Sequence, residues 1–218
     1  MRKLMKIQFA IDAVTLKDAV RLAQATAEHV DILELGTPLI KSEGMRIIEV
    51  MREAHPDKKI LADLKTMDAG ELEAELAFSA GADYVTVLGV ADDSTVRGAI
   101  AAADTHGKAI VVDLIGVDDK ITRAREVVDL GAAFVEFHAG LDEQSQPGYS
   151  LDTLLTAGTR AGVPFAVAGG VSLDTIVTVY EAGADVAVVG SALYSAADPA
   201  QMARHMKEAT AQSWPAAS

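Results

Sequence analysis

The 218 residues predict an α/β protein built as a single (β/α)8 (TIM) barrel. Three observations predict it. Short apolar runs alternate with longer amphipathic ones from Lys6 onward, the rhythm of a parallel sheet with crossover helices. A weak repeat recurs as Ala80-Gly81-Ala82-Asp83-Tyr84-Val85, Leu130-Gly131-Ala132-Ala133-Phe134-Val135 and Ala182-Gly183-Ala184-Asp185-Val186-Ala187, in which a helix stops at Gly and a strand begins almost at once. Polar groups gather where the apolar runs end, the edge at which such barrels carry function.

Taken in order, the first strand spans Lys6–Ile11 and ends in Asp12. Its helix, Leu16–Glu28, opens on Thr15 with Asp18 three places on, a capping-box spacing that leaves Asp12 free. The second strand, Asp31–Leu35, carries Glu34 and leads to a helix over Ser42–Ala54. The third, Lys59–Asp63, precedes a helix over Glu71–Ala80. The fourth and fifth pairs are Asp83–Val87 with Ser94–His106, and Lys108–Asp113 with Lys120–Leu130. The sixth strand, Ala133–His138, ends in histidine before a helix over Leu151–Ala161. The seventh, Pro164–Ala168, runs into Gly169-Gly170 and a helix over Leu173–Ala182. The eighth, Asp185–Val189, runs into Gly190-Ser191 and a last helix over Pro199–Gln212. No linker or composition shift divides residues 1–218, so one catalytic domain is expected, with a short tail after about residue 212. Trp214 and Pro215 in that tail are either loose or packed on a partner.

Half the residues are apolar and the formal charge is −13. An acidic chain without a basic run repels phosphate backbones, which argues against nucleic acid. The absence of cysteine excludes disulfides, thiolate metal sites and cysteine nucleophiles. Met1-Arg2-Lys3-Leu4-Met5-Lys6 is positive but lacks the apolar region of a signal peptide, and no later run approaches a membrane span. A cytoplasmic protein without a membrane partner is expected.

The chemistry centres on Leu61–Glu71, LADLKTMDAGE, where an apolar run delivers Asp63, Lys65 and Asp68. Residues two apart on a strand share a face, so Asp63 and Lys65 point together and Leu64 points the other way. Buried charges must neutralise one another or bind something charged. Asp68 either serves the site or caps the next helix with Glu71 three places on. Glu34 and Asp63 end adjacent parallel strands about 5 Å apart, a separation suited to one hard divalent cation. Mg2+ is expected there, with Mn2+ as the alternative ion. Asp113 either holds a loop or touches a substrate hydroxyl or metal-bound water. Among the histidines, His138 alone ends a strand, and imidazole suits proton transfer near neutrality. His29, His55, His106 and His205 lie at helix ends or on amphipathic helices and read as surface groups. Glu136 shares the face of His138 and either orients the imidazole or is turned outward by a bulge. Gly169, Gly170, Gly190 and Ser191 follow strands seven and eight, where barrels often bind phosphate through backbone N–H groups.

With these residues in place the chain resembles the orotidine-phosphate decarboxylase superfamily, whose hallmark Asp-x-Lys-x-x-Asp stands here as Asp63, Lys65 and Asp68. Within it the chain is most similar to the 3-hexulose-6-phosphate synthase family, from about Lys6 to about Lys207. The shared stretches include ELGTPLI from Glu34, ADLKTMDAGE from Ala62, VVDLIG from Val111, FHAGLDEQ from Phe137 and AGGV from Ala168. The resemblance implies a Mg2+-dependent aldolase that joins formaldehyde to D-ribulose 5-phosphate in the ribulose monophosphate pathway. It implies metal ligands Glu34 and Asp63, and a phosphate grip at Gly169, Gly170, Gly190 and Ser191. It also implies a homodimer in which Asp68 reaches the partner's site. His138 is then the base, with Lys65 placed by Asp12 and the partner chain's copy of Asp68. A related family, 3-keto-L-gulonate-6-phosphate decarboxylase, typically has Glu at the place of Asp113 and Arg at that of Ser191, so both residues favour the synthase. A non-catalytic phosphosugar-binding barrel is the remaining alternative, which intact Asp63, Lys65 and His138 disfavour.

Overall fold

The computed structural model describes residues 4–212. Eight parallel strands close into a barrel in sequential order, β1 (Lys6–Ile11), β2 (Ile32–Leu35), β3 (Lys59–Thr66), β4 (Tyr84–Leu88), β5 (Ala109–Asp113), β6 (Phe134–His138), β7 (Phe165–Ala168) and β8 (Val186–Val189), with β8 paired back onto β1. The helices between them are α1 (Leu16–Thr26), α2 (Thr37–Glu43), α3 (Arg46–Ala54), α4 (Gly70–Ser79), α5 (Asp93–His106), α6 (Lys120–Leu130), α7 (Leu141–Gln144), α8 (Leu151–Ala161), α9 (Ile176–Glu181), α10 (Ser191–Tyr194) and α11 (Pro199–Gln212). The expected barrel is therefore the observed one. The tail carrying Trp214 and Pro215 lies outside the described residues, as do Met1, Arg2 and Lys3.

Several boundaries differ for local reasons. The helix expected over Ser42–Ala54 is two, α2 and α3, because Gly44 turns left-handed between them and Pro38 starts α2 earlier. The helix expected from Leu173 begins at Ile176, since Ser172 and Thr175 close a turn of their own, with the Thr175 hydroxyl accepting from the Ser172 amide. The third strand runs on to Thr66, through a register shift against β4 between Ala62 and Thr66. Thr15 caps α1 as expected, its hydroxyl accepting from the Asp18 amide at 3.2 Å. Gly81, Gly131 and Gly183 of the repeat all have positive φ at the helix-to-strand turns.

Two apolar layers hold the barrel. The larger lies between sheet and helices, with Phe9, Leu33, Ile47, Ile60 and Phe137 fully buried. The smaller fills the interior with Ala10, Ile32, Leu61, Val111, Phe134, Ala166, Ala168, Val186 and Val188. Small side chains from β1, β7 and β8 leave interior room for longer polar ones from β2, β3, β5 and β6.

At the strand-start end, Asp83 is 7 % exposed and gathers Arg52, Lys59 (3.1 Å), Lys108 (2.8 Å) and the Ile60 amide (3.0 Å). Burial alone would raise its pKa, but Lys108, the Ile60 amide, Lys59 and Arg52 outweigh it and lower the value to about 2. Because the folded value lies below the unfolded one, this stabilisation is present above about pH 4 and is lost as pH falls toward 2. Asp83→Asn is expected to cost about 1–2 kcal/mol, discounted for the partly exposed cations. Urea melts at pH 7 and pH 3 check it: the gap between variant and wild type should shrink at the lower pH.

Candidate active site

The C-terminal ends of the strands bring most of the expected residues together. Lys65 is the hub, and its backbone explains how: the shifted register of β3 puts it at φ +48°. From there its ammonium donates to Asp63 Oδ1 and Oδ2, at 3.1 and 2.9 Å, and to Asp113 Oδ2 at 2.8 Å. This corrects the expectation that Asp12 positions Lys65, since Asp63 and Asp113 take its hydrogen bonds. Burial would lower the Lys65 pKa, but Asp63, Asp113 and Glu136 outweigh it and hold the ammonium charged far above neutrality.

Asp113 fulfils both roles left open for it. Oδ1 accepts the Ile115 amide at 2.9 Å and so holds the loop, while Oδ2 meets His138 Nδ1 at 2.8 Å. Burial opposes its ionisation, but His138 and Lys65 pull its pKa down to about 2. An ionised Asp113 only accepts, so the imidazole hydrogen sits on Nδ1 and the Nε2 lone pair is free to take a proton. Glu136, in register with Asp113 across β5 and β6, is buried rather than turned outward. It does not orient the ring, because its Oε1 lies 3.7 Å from Nδ1 and Asp113 is nearer. Burial first, then Asp113 and Glu34, raise its pKa well above the usual range.

Glu34 and Asp63 both line the interior and raise each other's cost of ionisation. The Glu34 Oε2 accepts from Gln8 Nε2 at 2.8 Å, and burial followed by Asp63 lifts its pKa to about 8. Asp63 also accepts from Thr37 Oγ1 at 2.8 Å and Thr86 Oγ1 at 2.7 Å. Asp12 is half-buried beside them, its pKa raised by burial and by Asp63. Gly36 makes this approach feasible, since a Cβ there would lie 2.2 Å from Asp12 Oδ1. Five carboxylates thus face Lys65 and His138. All-oxygen donors with a proton trapped on Glu34 beside Asp63 are the chemistry a hard divalent cation would satisfy, so the residues fit Mg2+. Without a divalent ion, Glu34 binds its proton up to about pH 8 when folded but only to about pH 4.5 when unfolded. Stability should therefore fall as pH rises from about 4.5 to about 8, and Glu136 acts in the same direction. Melting temperatures of chelated protein at pH 6 and pH 8 check this, and Mg2+ or Glu34→Gln should flatten the slope.

Across the mouth, Gly169 and Gly170 take φ of +121° and +81°. A Cβ at Gly169 would come within 2.9 Å of the Ala139 carbonyl and the Tyr149 hydroxyl, which itself donates to the Gly169 carbonyl at 2.6 Å. Gly190 and Ser191 open the short α10, whose first amides have no partner within the helix. Asp68 is not brought to this mouth within the chain. It is exposed, its Oδ1 accepts the adjacent Ala69 amide, and the expected capping box with Glu71 is absent because the left-handed Ala69 is the N-cap of α4. His55 also departs from expectation, with Nε2 buried and without a hydrogen bond.

Gln8, Thr37, Thr86 and Tyr149 are not singled out by sequence reasoning. The only signal for Gln8 and Thr86 is a polar residue inside an apolar strand run, KIQFAI and YVTVL.

A base, a lysine and clustered carboxylates at the C-terminal mouth of a (β/α)8 barrel define a barrel of the enzyme class. Residues 5–206 match the Orotidine 5'-phosphate decarboxylase / HUMPS family, and the chain belongs to that family. It is 60% identical over 207 residues to 3-hexulose-6-phosphate synthase of Mycobacterium gastri, covering 95% of this chain and 100% of that one. A crystal structure of a 3-hexulose-6-phosphate synthase shares the fold with TM-score 0.93 at 61% identity, over 94% of this chain and 99% of that one. The crystal structure of KGPDC from Streptococcus mutans has TM-score 0.92 at 28% identity, over 97% of this chain and 100% of that one. No helix among the described residues is long and apolar enough to cross a membrane.

Proposed function

We propose that this chain is a 3-hexulose-6-phosphate synthase, condensing formaldehyde with D-ribulose 5-phosphate to give D-arabino-hex-3-ulose 6-phosphate. Likeness to the Mycobacterium gastri synthase over almost the whole chain carries this reading.

Glu34 and Asp63 would hold Mg2+, which when bound supplies Lewis-acid stabilisation of negative charge on the substrate's C1–C2 oxygens. His138 Nε2 takes a C1 proton from ribulose 5-phosphate, and the carbanion formed attacks the formaldehyde carbon. The proton on Nε2 then neutralises the new alkoxide. Asp113 fixes the tautomer that allows both transfers and stabilises the imidazolium between them. Lys65 stays charged and shields the enediolate from the surrounding carboxylates. The phosphate would lie against the backbone amides at Gly169, Gly170, Gly190 and Ser191. A homodimer would bring Asp68 to the partner's site, supported by its exposure and by the exposed Met67, Leu72 and Leu76 around it.

Consumption of formaldehyde with ribulose 5-phosphate, measured with Mg2+ and then with excess chelator, tests the reading. Consumption that stops on chelation is expected. Metal-independent consumption would sink the Glu34–Asp63 site; no consumption, with CO2 released from 3-keto-L-gulonate 6-phosphate, would make the chain a decarboxylase.

A further inference from the structure

The barrel mouth holds more carboxylate than one cation site uses. With Glu34 and Asp63 assigned to a hard ion and Lys65 resting on Asp63 and Asp113, Glu136 is left over. It is 3 % exposed and, among the described residues, accepts no hydrogen bond. Its nearest cationic contact is His138 Nδ1, 3.7 Å from Oε1. A buried carboxylate in that position is costly unless something charged or proton-bearing reaches it.

We propose that Asp113, Glu136 and His138 form a second cation site, separate from Glu34–Asp63, that takes a borderline transition metal ion of the Zn2+ type. One ligand atom from each lies within 4.8 Å of the others. Nδ1 is 2.8 Å from Asp113 Oδ2 and 3.7 Å from Glu136 Oε1. Tetrahedral Zn2+ at its usual bond lengths sets ligand atoms about 3.3 Å apart, so a shift of the ring by about half an ångström away from Asp113 and toward Glu136 completes three ligands. An imidazole with two carboxylates suits Zn2+ or Cu2+, whereas Mg2+ keeps to oxygen donors and its own waters. Lys65 does not block the site. It retains both Asp63 oxygens when Asp113 turns to the ion, and its charge only weakens the binding.

Occupation has a defined consequence, which rests on the proposed function. The ion replaces the proton on Nδ1, and a neutral ring so bound carries its remaining hydrogen on Nε2. The lone pair that accepts the C1 proton is then gone, and turnover stops.

Equilibrium dialysis of the full chain against Zn2+ in saturating Mg2+, with metal analysis of the protein, tests binding without using turnover. One Zn2+ per chain is expected. Glu136→Gln should weaken it at least tenfold, whereas Glu34→Gln should leave it in place. Cu2+ bound to the unmodified chain should show nitrogen hyperfine coupling in its electron paramagnetic resonance spectrum. No retained Zn2+, equal retention by Glu136→Gln, loss in Glu34→Gln, or Cu2+ without nitrogen coupling would each overturn the site. Zinc binding that leaves formaldehyde consumption intact would instead overturn the role of His138 as base.

Discussion

His138→Ala is expected to slow exchange of the C1 proton of ribulose 5-phosphate by about 10²–10⁴-fold, the usual worth of a positioned general base. The expectation rests on a single tautomer. Asp113, ionised by contact with His138 and Lys65, can only accept, which fixes hydrogen on Nδ1 and leaves Nε2 open. Asp113→Asn probes the same point from the other side, because an amide that donates to Nδ1 moves the ring hydrogen to Nε2. It should therefore lower exchange without removing the imidazole. Deuterium exchange followed by proton NMR, with no formaldehyde present, isolates this step from carbon–carbon bond formation. Full-rate exchange in His138→Ala would remove the residue from the base role.

Lys65→Ala is expected to abolish turnover and to cost about 3–5 kcal/mol, the range for breaking a buried ion pair by removing one partner. Its ammonium makes three contacts to Asp63 and Asp113, and with it gone the carboxylates face only His138. Urea melts of metal-free protein check the stability, and added Mg2+ should recover part of it. The same charge that makes Lys65 a structural hub makes it a poor nucleophile, so borohydride should trap no substrate on it. Mixing Lys65→Ala chains with Asp68→Ala chains should restore part of the lost rate. One mouth of the mixed dimer then has an intact Lys65 and receives an intact Asp68 from its partner. Failure to restore any rate, with mixed dimers shown to form, would place Asp68 outside the site.

Much of this was legible in the chain. The alternation of apolar and amphipathic runs predicts the barrel because strand and helix periods are set locally, and all eight strands lie within a few residues of their expected bounds. Asp12, Glu34, Asp63, Asp113 and His138 could be placed at one edge for the same reason, since a parallel barrel puts every strand's C-terminal end on one face. Which of them touch was not legible. The Lys65 contacts depend on a register shift and a left-handed residue, and neither has a period or a composition that marks it. The burial of Glu136 and the rise of the Glu34 pKa come from charges on four different strands. Asp68 shows the same division. Its place in the Asp-x-Lys-x-x-Asp pattern is a property of the sequence, but its distance from this chain's own mouth is a property of the turn into α4. Local propensity and pattern determined the elements and the edge where function collects. Only the tertiary structure decided the hydrogen bonds and protonation states, because those depend on distances between residues far apart in sequence.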